Sequence, residues 1–255
     1  MDEQNNDGVK EYAPTVSHNS GQTNSAMIPM AIVVAGFLIA AAIVYSNKSG
    51  APTPVAQAPS GGQAAGGLDA MRATSMDDHL LGNPEAPVKI IEFSDLECPF
   101  CKRFHETMKQ AMNEYGKKGQ IAWIYRNYPI PQLHPKAPHE AEAAECAAVL
   151  GGNQKFWSFI DHIFTITPSN NGLDDSELGK TADLLGLNHT DFQACLDSGK
   201  TKARIAADIT DAGNTGVQGT PYSVVVAANG KKFEINGAQP YDVVKQTIEK
   251  ALAEK

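Results

Sequence analysis

Basic residues are scarce in this 255-residue chain: 21 Lys and Arg stand against 29 Asp and Glu, for a formal net charge of -8 and a pI near 5.3. They form no stripe or long run, which argues against nucleic acid as the main partner. Cysteine is scarcer still, with four residues, Cys98, Cys101, Cys146 and Cys195. A four-cysteine zinc site would lack a second short-spaced pair, so no metal is expected. An even count with one close pair fits one redox pair and one structural pair in an oxidising compartment. The chain shows no internal repeat. At 42% hydrophobic and 20% charged, its length allows one substantial domain plus extra segments.

The close pair is the most informative feature. Residues 88–94 (VKIIEFS) are apolar and β-branched enough to predict a strand. Pro99 is pre-set for a first helical position, so a helix is predicted over 99–115. Cys98 then sits at or just before a helix N-terminus, where unpaired N–H groups and the helix dipole stabilise its thiolate. Cys101 lies three residues on, within disulfide reach across one turn. A C-x-x-C at a strand-to-helix junction reads as thiol–disulfide redox chemistry; a structural disulfide or half a metal site are the competing readings.

Residues 1–27 are polar and expected to be disordered. Residues 28–45 (IPMAIVVAGFLIAAAIVY) carry no charge and are long enough to span a hydrocarbon core of about 30 Å. The long, net acidic stretch before them favours a retained anchor over a cleaved signal peptide, although Ala40-Ala41-Ala42 keeps cleavage open. The lysine flanks, Lys10 before and Lys48 after, favour an outside N-terminus, whereas the cysteine chemistry places the C-terminal domain outside. Residues 46–67, rich in Pro, Gly, Ala and Ser, read as a flexible linker.

The folded domain is expected over 68–255. A short helix is predicted over 68–81, then strand 88–94, helix 99–115 and strand 121–125. A helical block follows at about 134–212, with helices over 134–150, 154–166, 174–185, 190–197 and 200–212. Strands over 222–227 and 232–236 flank an Asn229-Gly230 turn, and a helix over 241–253 ends the chain. His105 is expected on a helix surface, and His134 and His139 as solvated or capping residues rather than metal ligands.

This order is that of an α/β thioredoxin fold with an inserted helical subdomain. The chain resembles the DsbA-like thiol–disulfide oxidoreductases, particularly the membrane-tethered bacterial members. The likeness rests on Gly82-Asn83-Pro84-Glu85-Ala86-Pro87, on Glu92-Phe93-Ser94-Asp95 leading into Cys98-Pro99-Phe100-Cys101, and on Gly219-Thr220-Pro221. It implies that Cys98 is the exposed nucleophile, Cys101 its buried partner, and Pro221 a cis-proline lying against the pair. It further implies that the Thr220 backbone aligns an extended substrate and that Glu92 is a buried acid passing protons to and from Cys101. Alternation alone puts Glu92 with Ile90 and Ser94, opposite Ile91 and Phe93, and does not decide its role. Pro99 and Phe100 depart from the Pro-His of the strongly oxidising prototype; Phe100 offers an apolar substrate surface in place of a cation. Cys146 and Cys195 match pairs that form a second, non-catalytic disulfide in some relatives; two buried thiols are the alternative.

The resemblance thus implies a membrane-anchored, extracytoplasmic dithiol oxidase acting on exported proteins with free cysteines. A membrane redox partner would reoxidise the pair. No cofactor is needed and a monomer is expected. A reductase or isomerase on the same fold, or a redox-inactive peptide-binding module, are the alternatives. Residues 46–67 supply no dimerisation domain of the kind isomerases use, and the intact cysteine pair argues against the inactive module.

Overall fold

The computed structural model describes residues 66–254. The anchor, the polar tail and nearly all of the linker predicted above lie outside the described residues. Among the described residues no helix is long and apolar enough to cross a membrane.

Five strands, β1 (His79–Gly82), β2 (Val88–Ser94), β3 (Ile121–Asn127), β4 (Tyr222–Val226) and β5 (Lys232–Asn236), form one sheet in the order β1-β3-β2-β4-β5. β2 and β3 are parallel and joined by helix α1 (Pro99–Glu114); the other pairings are antiparallel. β2 is central and shielded on both faces, which explains its almost continuous apolar sequence. Its even-numbered face, with Val88 and Ile90, joins the main core beside Phe104, Trp123 and Phe156. Its odd-numbered face, with Ile91 and Phe93, packs against Ile124, Val224, Met71 and Ala212. Helix α6 (Tyr241–Ala253) contributes Val244 and Ile248 to the first core.

Between β3 and β4 the chain inserts α2 (Ala137–Ile166), α3 (Ser176–Leu184), α4 (His189–Ser198) and α5 (Lys202–Thr215). Helix α2 is two helical segments meeting at a kink at Gly152, whose φ of 73° and ψ of -174° glycine adopts without steric cost. A disulfide joins Cys146 on α2 to Cys195 on α4, with Cα atoms 5.9 Å apart.

Two expectations are corrected. Residues 68–81 hold only a 3-10 turn (Leu68–Ala70), and His79–Gly82 is an edge strand antiparallel to β3. Four residues are too few to show an alternating pattern, and this strand is fixed by tertiary partners. His79 Nε2 lies 2.9 Å from Glu145 of α2, and the preceding segment is held by Arg126, fully buried and bonded to Asp78 at 3.1 Å and Asp211 at 2.6 Å. Two of the three histidines are not solvated either, while His139 is exposed as expected. His105 is buried between Trp123 and Phe164 with Nε2 2.5 Å from Asp161, and His134 is buried with Nδ1 3.0 Å from Asp95.

Candidate active site

The turn from β2 into α1 is held by two buried acids. Asp95 accepts hydrogen bonds from the backbone of Glu97 at 2.8 Å and of Ile130 at 2.9 Å. The Glu97 carboxylate accepts from the backbone N–H of Asn171 at 2.6 Å and Leu173 at 3.2 Å, pinning the turn to the helical insertion. Cys98 leaves this turn as the N-cap of α1, with extended backbone at φ -77° and ψ 120°, and Pro99 opens the helix.

Across from Cys98 lies the start of β4, where Thr220-Pro221 is a cis peptide. The Cys98 Sγ is 3.5 Å from the Thr220 carbonyl oxygen, to which the thiol donates. Cys98 and Cys101 are free thiols; the first is 4% exposed and the second fully buried. Their acidities are driven apart. The Cys101 thiol, donating to the Cys98 sulfur, lowers the Cys98 pKa to about 6. Backbone N–H groups of Cys101 and Phe100 act in the same direction, and burial opposes them. Cys101 is held well above an ordinary thiol, first by burial and then by the adjacent Cys98 charge. Phe100 is 53% exposed at the rim, and the Arg103 guanidinium lies 5.3 Å from its ring centre.

Glu92 is fully buried on the same face of β2 as Ser94. Strand register places Tyr125 beside it on β3 and Ser223 beside it on β4. Trp123 Nε1 donates to Glu92 Oε2 at 2.9 Å, while Oε1 and the hydroxyls of Ser94, Tyr125 and Ser223 have no hydrogen-bond partner among the described residues. Burial raises the Glu92 pKa to about 7, against the hydrogen bond from Trp123. A carboxyl group of that acidity exchanges its proton near neutral pH. Among the described residues no group of three or more His, Cys, Asp or Glu side chains is arranged to hold a metal ion.

Sequence reasoning thus named Cys98, Pro99, Phe100, Cys101, Thr220 and Pro221, which meet at one end of the sheet, and Glu92, which lies in the layer beneath. It passed over Trp123, Tyr125 and Ser223, which read as ordinary strand residues until pairing sets them beside Glu92. It also passed over the roles of Asp95 and Glu97, whose only signal is two acids in a strand-to-helix turn.

The buried acid carries a stability consequence. Glu92 ionises near 7 in the folded protein and near the ordinary glutamate value of 4.5 when unfolded. The folded state therefore binds a proton that the unfolded state has released, and stability falls as pH rises from about 4.5 to 7. Glu92→Gln, which keeps an acceptor for Trp123, is expected to be more stable than wild type by about 3 kcal/mol at pH 8, with the difference vanishing at pH 4. Urea unfolding at the two pH values measures this; an equal difference at both would place the Glu92 charge in solvent.

The comparisons with known proteins agree with this geometry. The model of the family described as thioredoxin matches residues 74–250. Among sequence relatives, Na(+)/H(+) antiporter NhaA 3 of Salinispora tropica is 31% identical over 183 residues, 71% of this chain and 26% of the relative. Na(+)/H(+) antiporter NhaA 1 of Mycolicibacterium gilvum is 30% identical over 61% of this chain and 24% of its own length. The chain therefore spans about a quarter of these curated relatives. Among solved structures, DsbA2 of Pseudomonas aeruginosa superposes with a TM-score of 0.58 at 27% identity, covering 69% of this chain and 96% of that one. Oxidised BdbD of Bacillus subtilis gives 0.60 at 26%, covering 69% and 92%. The α-DsbA1 of Wolbachia pipientis shares the fold, with a TM-score of 0.61 at 22% identity over 71% of this chain and 94% of that one. A family match over nearly the whole described domain, joined to this superposition, places the chain in the thioredoxin family as a DsbA-like member with the fold of the thiol–disulfide oxidoreductases.

Proposed function

We propose that the protein is an extracytoplasmic dithiol oxidase that passes a Cys98–Cys101 disulfide to exported proteins with free cysteines, with residues 28–45 as its membrane anchor. The observation that carries this reading is the split in acidity between the two thiols, with Cys98 at about 6 and Cys101 far above it. A substrate thiolate attacks Cys98 Sγ, the Cys98–Cys101 bond breaks, and Cys101 leaves. Cys101 takes up a proton, for which Glu92, with a pKa near 7, is the buried donor. A second substrate thiolate attacks the substrate sulfur of the mixed disulfide and expels Cys98 as thiolate. The substrate loses two electrons and the pair gains them; a membrane redox partner removes them to restore the disulfide.

The stable Cys98 thiolate favours the reduced pair and hence oxidation of substrate. Relative to a thiol of ordinary acidity, 9.0, a pKa of about 6 stabilises the reduced form roughly tenfold at pH 7, about 30 mV for a two-electron couple. Equilibration with glutathione at pH 7 tests the direction. The pair is expected to be half reduced while most of the glutathione is still oxidised. Half reduction only in a large excess of reduced glutathione would assign the protein to reductases instead.

A further inference from the structure

Behind the cis-proline turn the surface holds a second feature that the exchange chemistry does not use. A hollow of about 460 Å³ opens beside Gly219, lined also by Gly216, Gln218, Tyr222, Glu234 and Asn236. Antiparallel register pairs Tyr222 with Asn236 and Val224 with Glu234, so all four side chains share the face of the sheet opposite Ser223 and Glu92. The floor is thus the β4–β5 edge, and the rim is the turn whose Thr220 carbonyl already touches Cys98.

The lining contains no lysine or arginine and one carboxylate, Glu234, which is exposed and has the Tyr222 hydroxyl beside it. The lysines of the same hairpin are turned to other acids. Lys232 pairs with Asp69 at 3.5 Å and Lys231 with Glu254 at 2.5 Å. The start of α1, beyond Cys98, has the reverse character: Phe100 is exposed with Arg103 over it, and Lys102 donates to the Thr167 carbonyl at 2.6 Å. Gly219 carries no side chain at this rim, and a Cβ added there would meet nothing within 4 Å.

We propose that this hollow is a subsite for a lysine or arginine side chain lying within two residues of the substrate's reacting cysteine, with Glu234 as its counter-charge. An extended substrate aligned on the Thr220 backbone passes Gly219 next, and Gly219 and Glu234 line the same hollow. The substrate would then lie with its cationic flank toward Glu234 on β5 and away from Arg103 on α1. This subsite rests on the exchange role proposed for Cys98 and Thr220.

The test uses the full chain, oxidised, and reduced dithiol peptides carrying Lys, Gln or Glu at each of the two positions on either side of the attacking cysteine. At low salt, kcat/KM for one lysine peptide is expected to exceed that of its glutamate counterpart by about three- to fivefold, the range for a solvent-exposed charge pair. The ratio should shrink toward one in 0.5 M salt, as screening of an exposed pair requires. Glu234→Gln should abolish the preference and Glu234→Lys should reverse it. A thermal melt of each variant confirms that it is folded. Equal rates for lysine and glutamate peptides, or a preference that survives Glu234→Gln, would overturn the subsite and leave the oxidase reading standing. Failure to oxidise any of the peptides would overturn both.

Discussion

After mild reduction, brief iodoacetamide treatment at pH 7 is expected to modify Cys98 at least about tenfold faster than Cys101. With a pKa of about 6, Cys98 is mostly thiolate at pH 7, whereas Cys101, raised by burial and by its charged neighbour, is almost wholly protonated. The thiolate is the nucleophile, and at pH 7 the two thiols differ by a factor of at least about a hundred in reactive species. A low-pKa thiolate is intrinsically less nucleophilic, which returns a factor of roughly twenty. Full burial of Cys101 adds a further barrier. Mass spectrometry of the quenched protein reads the site directly. Equal labelling of the two cysteines, or labelling of Cys101 first, would reverse the roles assigned to them.

The disulfide between α2 and α4 is expected to stabilise the fold by about 4 kcal/mol, the chain-entropy value for its separation of 49 residues. Cys146 is fully buried and Cys195 nearly so, both inside the insertion and in the main core beside Ala147 and Leu196. Neither belongs to the turn that carries Cys98 or to the cis-proline turn. A Cys146→Ser/Cys195→Ser variant should therefore unfold at markedly lower urea while its folded form still oxidises dithiol peptides. A variant that is folded but inactive would show that this disulfide belongs to the exchange chemistry.

The parts of this architecture legible in the sequence are those set by local chemistry. Val88–Ser94 reads as a strand because a central strand is apolar on both faces, and the helix after it is announced by Pro99 at its first turn. Gly151-Gly152 marks the break in α2 because one of the two must take a positive φ. The cysteine pair and Gly219-Thr220-Pro221 lie 118 residues apart when measured from Cys101 to Gly219, and only the family resemblance joined them before the fold did. What stayed hidden was fixed by distant partners. His79–Gly82 is a strand because β3 and Glu145 hold it. His105 and His134 are buried because Asp161 and Asp95 meet them. Glu92 acquires Trp123, Tyr125 and Ser223 only through strand register.

The central claim is that a stabilised Cys98 thiolate drives disulfide transfer out of this protein. Its most direct test is the glutathione equilibrium followed from pH 4 to pH 8. Below the Cys98 pKa, reduction of the disulfide takes up two protons, and the potential should fall by about 59 mV per pH unit. Above it only Cys101 is protonated, and the slope should halve to about 30 mV per pH unit. The account predicts the break at a pH of about 6, where Cys98 ionises. A slope that holds its full value through pH 8, with the pair half reduced only in excess reduced glutathione, would contradict it.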